Sequence, residues 1–169
     1  MDPLTPTQLV TNGPRQTVVT KIIAIMISTL AASVGVLCMG LLASNAQLAL
    51  STVPFATSIA LVAGAPKSAP ATTRSILVGH LSSAVIGVVV VKLLGAGLLP
   101  GAFAVGLAVA AMLASKSLHP PAAISPLIIC EYNLGPYFIV VPVLLGALLV
   151  VLLSRITEIL QRRFGCDLV

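Results

Sequence analysis

Charged side chains are scarce in this chain of 169 residues, where Asp, Glu, Lys and Arg together make up 8% and tryptophan is absent. Apolar residues make up 58%, and the mean hydropathy is +1.14. A water-soluble domain carries about 25% charged residues, so this composition excludes that class. It predicts an integral membrane protein whose fold is all-α, a polytopic transmembrane helical bundle.

Acidic residues and cysteines are also few, which leaves little material for catalysis or metal binding. Of the four acidic residues, only Glu131 lies between apolar segments. The chain has no HExxH pair and no glycine-rich phosphate loop after a strand. The three cysteines share no close spacing, so they indicate neither a disulfide framework nor a metal site. We therefore expect no enzyme activity, no metal and no cofactor.

The formal charge of +5 comes from nine Lys and Arg residues that fall at the ends of apolar segments. There they orient the helices and contact membrane lipid, which argues against a nucleic-acid partner. The N-terminus has no basic region followed by a short apolar core, as a signal peptide would. These features favour a prokaryotic inner (plasma) membrane, with an organellar envelope as the less favoured alternative.

The apolar pattern predicts a short polar tail at 1–17, a transmembrane domain at 18–160 and a short basic tail at 161–169. Full spans are expected at 18–42, 75–94, 101–116 and 137–160. Two further pieces are broken by proline: 47–64, which contains Pro54, and 121–130, which covers half a bilayer. If both pieces cross, six crossings put both termini and nearly all Lys and Arg in the cytoplasm. A four-span chain with both pieces re-entrant is the alternative.

The two halves of the domain resemble each other faintly. Each reads as a full span, a proline-broken piece and a full span, and 55–59 aligns with 120–124. Inverted repeats of this kind occur in secondary transporters, with proline-broken half-helices at the site. Small residues also recur at every fourth position, which predicts close helix packing within the monomer or in a homo-oligomer. They are Gly79, Ser83 and Gly87 in one span and Ala102, Gly106, Ala110 and Ala114 in another.

The most informative stretch is Leu118-His119-Pro120-Pro121, which lies between two apolar segments. A residue before proline avoids the α region, so the helix from residue 101 should end near Leu118. A short helix should begin at Pro120 or Pro121, with the first amide groups after the prolines unpaired. Such a helix start attracts anions.

Two histidines and two cations complete the predicted anion site. Six crossings put His80 and His119 on the same side of the membrane, where they would line one vestibule as hydrogen-bond donors or proton-exchanging groups. Two neighbouring cations would attract the anion. The competing interpretation gives the histidines a structural role and the cations an orienting role. The predicted site consists of His119, Pro120, Pro121, Ala122, Ala123, His80, Lys116 and Arg74.

Three blocks of this sequence resemble the HPP family of small integral membrane proteins. Leu118-His119-Pro120-Pro121-Ala122 resembles its namesake motif, the stretch 74–81 resembles a second block with Gly-His-Leu, and 138–148 is similar to its last span. The resemblance implies a helical membrane domain, and plant and cyanobacterial members are linked to nitrite transport. The chain departs from the family at 123–124, where Ala-Ile replaces the common Gly-Ala, and at Pro126, which replaces a small residue.

These observations predict a small inorganic anion transporter or channel, with nitrite as the leading substrate and the site at His119-Pro120-Pro121. Nitrite is compact, singly charged and able to accept two hydrogen bonds, which suits donors at a helix break. The alternative is a non-transporting membrane module that serves as an assembly partner or sensor, with the histidines and prolines as packing devices.

Overall fold

The computed structural model describes residues 17–42 and 52–165, and this part of the chain contains helices and no strands. Three helical stretches are long and apolar enough to span a membrane: Val18–Leu41, Thr73–Leu94 and Ile139–Arg163. The all-α membrane bundle predicted from composition is thereby confirmed. The α-helices are α1 (Val18–Leu42), α2 (Thr52–Gly64), α3 (Thr73–Leu94), α4 (Leu98–Ala114), α5 (Ser125–Glu131) and α6 (Leu145–Arg163).

The helix α4 ends earlier than the predicted Leu118. Its last residue is Ala114, and Lys116 adopts a left-handed conformation with φ 51°. The Ser117 amide donates to the Met112 carbonyl at 2.9 Å, and the Lys116 amide donates to the Leu113 carbonyl at 3.1 Å. This hydrogen-bond pattern is a Schellman motif, which satisfies the last carbonyls and ends the helix before the prolines are reached.

The second helical piece begins at Pro120, as predicted, but in a 3₁₀ form. A 3₁₀ turn covers Pro120–Ile124 and leads directly into the seven residues of α5. In α2, Pro54 lies in the first described turn, where a missing amide hydrogen costs little. The kink predicted at Pro54 is therefore not present in the described part of that helix, and residues 47–51 lie outside it.

The last span is broken, although the sequence reading expected it to be continuous from 137 to 160. A π-helical turn covers Ile139–Leu144, and Val141 inside it has extended angles, φ −128° and ψ 112°. The cause is Pro142, which lacks an amide hydrogen and pushes the preceding residue out of the α region. A proline-broken segment that the sequence did not predict thus precedes α6.

Helix α3 is the centre of the bundle. It contacts α4, α5, α6, the π-helical turn and two 3₁₀ turns, Ala69–Ala71 and Pro120–Ile124. One apolar cluster joins α3 to α4 and α5, and a second joins it to α1, α2 and α6. A threonine cap starts α3, where the Thr72 side chain accepts a hydrogen bond from the Ser75 amide at 3.2 Å. Three polar side chains of α3 are buried: Ser75, His80 and Ser83.

The two rows of small residues have different positions. Gly79, Ser83 and Gly87 are buried, whereas Ala102, Gly106, Ala110 and Ala114 are exposed on α4. A Cβ atom on Gly79 would lie 2.7 Å from His119 Cβ, and one on Gly87 would lie 2.9 Å from Pro126 Cα. Glycine is thus required for the segment from His119 to α5 to lie directly on α3.

Candidate functional site

The hydroxyl of Ser58 joins the two histidines in the interior of the protein. Ser58 Oγ lies 2.9 Å from His80 Nε2 and 2.9 Å from His119 Nε2. All three side chains have no solvent exposure. They come from three different segments, α2, α3 and the residue that precedes the 3₁₀ turn at Pro120. The structure therefore brings together two histidines that are 39 residues apart in the sequence.

Each imidazole is also oriented by a second contact. His119 Nδ1 lies 2.8 Å from the carbonyl oxygen of Pro70, in the 3₁₀ turn Ala69–Ala71. His80 stacks on the ring of Phe55, with centroids 4.6 Å apart and planes at 26°. The centroids of the two imidazoles are 5.0 Å apart. The pair is therefore held in one arrangement by α2, α3 and the loop before α3.

Three buried polar atoms lack a hydrogen-bond partner among the residues that the structure describes: His80 Nδ1, Ser83 Oγ and Ser125 Oγ. Ser83 lies between Gly79 and Gly87 on α3, and these glycines contact His119 and Pro126. Ser125 lies between those two contact residues in the sequence and is the first residue of α5, which packs against α3. Unpaired buried polar atoms cost free energy. These three atoms could form hydrogen bonds with a small polar ligand.

The predicted cations lie at a cavity next to this cluster. Arg74 and Lys116 both line a cavity of about 510 Å³, and Pro70 forms part of its wall. Both side chains are exposed, and the Arg74 guanidinium donates to the Ser115 carbonyl at 2.9 Å. Because Pro70 also accepts the hydrogen bond from His119, one residue connects the cationic cavity to the buried histidines. The histidines themselves do not line an open vestibule, in contrast to the expectation.

The remaining predicted residues surround the proline turn. Pro120 and Pro121 line a second, mainly apolar cavity of about 460 Å³ together with residues of α2. Ala122 is buried and Ala123 is half-buried. The Ala122 amide donates to the His119 carbonyl at 3.0 Å. The prediction of an unpaired amide at this position was wrong, since a 3₁₀ turn pairs amides one residue earlier than an α-helix does.

Sequence reasoning missed Ser58 and Pro70, which complete the cluster. A serine in an apolar helix is common and carries no chemical signature by itself. The internal repeat contained a signal, because it aligned 55–59 with 120–124. In the folded protein α2 packs against the 3₁₀ turn Pro120–Ile124, so the two aligned segments meet at the histidines.

The sequence matches the model of the HPP transmembrane region over residues 17–165. A transmembrane protein of Dictyostelium discoideum is 35% identical over 147 residues, which are 79% of this chain and 51% of that protein. A second transmembrane protein of the same organism is 34% identical over 149 residues, 80% of this chain and 48% of that protein. This chain thus spans about half the length of these curated relatives.

No solved structure matches the chain. The family match covers all six described α-helices and includes both histidines and the Ser58 hydroxyl that bridges them. Together with the apolar helices, it shows that this chain is an integral membrane protein that belongs to the HPP transmembrane family.

Proposed function

We propose that this protein is a transporter or channel for a small inorganic anion, with nitrite as the leading substrate. The observation that carries the proposal is the buried cluster of Ser58, His80 and His119 at the proline break. Polar side chains inside a membrane protein are costly and mark substrate pathways. The cavity lined by Arg74 and Lys116 that adjoins this cluster supports the same function.

The charges at the cavity favour an anion over a cation. Arg74 and Lys116 line it, and no carboxylate is among its lining residues. A nitrite ion is far smaller than the cavity of about 510 Å³, so the site would admit it with part of its water. From there the buried hydroxyls of Ser83 and Ser125 offer hydrogen bonds along the interface of α3 with α5. The seven residues of α5 are too few to supply the helix-end site expected from the sequence.

The alternative, a non-transporting module, receives support from the lengths of the relatives. The matched region is 51% of one and 48% of the other, so each has about as much sequence outside the match as inside it. A membrane module that acts together with a further part of the same chain would be consistent with these lengths. In that case the histidine cluster would hold α2, α3 and the proline turn together without conducting an ion.

Flux into liposomes separates the two functions. Purified protein is reconstituted with an internal reporter, and uptake of nitrite, nitrate and formate is measured against empty liposomes. We expect nitrite uptake, a strong loss in His119→Ala and little change in Lys92→Ala, which alters an exposed cation outside the site. Lys116→Gln covers the case in which His119→Ala misfolds, because this exposed side chain is replaced without disturbing buried contacts.

Each outcome decides between the proposals. Uptake of nitrite that falls in His119→Ala and Lys116→Gln supports an anion pathway through the cavity. No uptake of any of the three anions above empty liposomes would exclude transport of these anions and favour the non-transporting module. Equal uptake by all three variants and the wild type would show that the anion pathway uses neither the histidine cluster nor the cavity.

A further inference from the structure

The Ser58 hydroxyl has more neighbours than it can donate to. Its Oγ lies 2.8 Å from the Pro54 carbonyl oxygen and 2.9 Å from the Nε2 atoms of both His80 and His119. A hydroxyl has one hydrogen and two acceptor lone pairs. It can therefore donate to one of these three atoms at a time. The positions of the hydrogens on the two imidazoles must be compatible with that donation.

The tautomer of His119 follows from its second contact. Nδ1 lies 2.8 Å from the Pro70 carbonyl, which can only accept, so Nδ1 carries a hydrogen. In a neutral imidazole Nε2 then has none and accepts the hydrogen of Ser58. The serine oxygen in turn accepts from His80 Nε2–H. The neutral cluster is thus a directed chain from His80 through Ser58 to His119.

A second arrangement uses the same atoms with one more proton. If a proton from water binds His119 Nε2, both nitrogens of this imidazole become donors. Ser58 then rotates its hydrogen to the Pro54 carbonyl and accepts from both histidines. Every heavy-atom distance needed is already 2.8–2.9 Å, so only hydrogens change position. No covalent bond is broken in the protein, and the imidazolium retains two acceptors.

We propose that Ser58, His80 and His119 form a buried site for one proton, in which rotation of the Ser58 hydroxyl accommodates protonation of His119. The inference deepens the proposed anion transport, since the proton would be the ion that moves with the anion. Only the identity of the ion that moves with the proton depends on that function. The hydrogen-bond chemistry stands on the four contacts.

The surrounding charges couple the proton to the anion. Within its described range, α2 carries no titratable side chain, and neither do the 3₁₀ turn Ala69–Ala71 and α4. Beside His80 and His119 themselves, the charged groups at the adjoining cavity are Arg74 and Lys116. These cations oppose a further positive charge on His119. An anion in the cavity offsets them, so anion and proton favour each other.

The other elements contribute charged groups away from the contacts of the cluster. On α5 the titratable residues are Cys130 and Glu131 at its C-terminal end, and Glu131 is exposed. On α3 the remaining cation is Lys92, in the last turn. On α6, Arg155 and Arg162 pair with Glu158. None of these groups hydrogen-bonds a member of the cluster in the described structure.

Nitrogen NMR tests the site directly, because the chain has two histidines. Protein labelled with ¹⁵N in the imidazoles is placed in lipid nanodiscs and titrated with acid. His80→Gln assigns the two sets of signals. At high pH we expect the Nδ1–H tautomer for His119 and the Nε2–H tautomer for His80. On acidification His119 alone should become doubly protonated, and nitrite should increase that fraction at a given pH.

Ser58→Ala removes the acceptor for the added hydrogen of His119. The variant also removes the weaker hydrogen bond that Ser58 donates to neutral His119. Because a hydrogen bond from a charged donor is stronger than that neutral bond, the difference between them predicts a roughly ten-fold lower ratio of protonated to neutral His119 at a given pH. Ser82→Ala is the matched control, since this hydroxyl donates to the Gly79 carbonyl of its own helix at 3.3 Å. It should titrate like the wild type.

The wild-type spectrum is decisive even if Ser58→Ala misfolds. Identical tautomer mixtures for both histidines, or no protonation of His119 on acidification, would overturn the proton site. Equal titration of Ser58→Ala and the wild type would do the same. Failure of nitrite transport with the expected NMR titration would overturn the transport proposal and leave the proton site standing, so the two failures are distinguishable.

Discussion

Replacing Gly79 with alanine probes the contact that positions His119. The added Cβ would lie 2.7 Å from His119 Cβ and 3.4 Å from Met112 Sδ. Non-bonded carbon atoms optimally lie 3.5–4.0 Å apart, so α3 or the His119 segment must move. Either movement disturbs the hydrogen bonds of His119 to Ser58 and Pro70.

The matched control is Gly106→Ala, because a Cβ on Gly106 meets no atom within 4 Å. Both glycines lie inside helices, so both variants gain about 1 kcal/mol from the higher helix propensity of alanine. That gain cancels in the comparison. Overpacking costs about 1–3 kcal/mol, and we expect Gly79→Ala to be less stable than Gly106→Ala by this amount.

The measurement is a denaturant titration in mild detergent, followed by far-ultraviolet circular dichroism. The two variants should differ in the midpoint and share the slope, which is the signature of a stability change. Nitrite uptake should fall in Gly79→Ala and stay near the wild-type level in Gly106→Ala. Equal midpoints for the two variants would refute the close contact between α3 and the His119 segment.

Two further predictions concern the helix packing and the orientation of the chain. In Gly146→Ala the added Cβ would lie 2.6 Å from the Phe55 ring, which stacks on His80, so we expect this variant to be less stable than Gly106→Ala by about 1–3 kcal/mol in the same titration. A midpoint equal to that of Gly106→Ala would contradict that packing. If Lys116 faces the cytoplasm and Lys92 the opposite side, then Lys116→Cys and Lys92→Cys, each in a background without native cysteines, should react with an impermeant thiol reagent from opposite sides of the membrane. Labelling of both from one side would reject the predicted six crossings.

The sequence alone was sufficient for the membrane class, the family and most helix boundaries. Apolar runs are a local property, and their lengths follow from the distance a helix must cover in lipid. The predicted span 18–42 coincides with α1, and the start of the second short piece at Pro120 followed from the φ angle that proline imposes. The histidine–proline motif also indicated the correct region for the polar cluster.

Tertiary structure decided which polar atoms meet. Ser58 is 22 residues from His80 and 61 from His119, and nothing local in sequence selects it from the other serines. The 3₁₀ form of the turn after Pro120 paired an amide that the sequence had predicted to be free. The close contacts at Gly79 and Gly87 place the segment from His119 to Pro126 directly on α3, although the two are distant in sequence. Hydrogen bonds between such segments depend on the fold as a whole. They cannot be predicted from the pattern of residues along one segment.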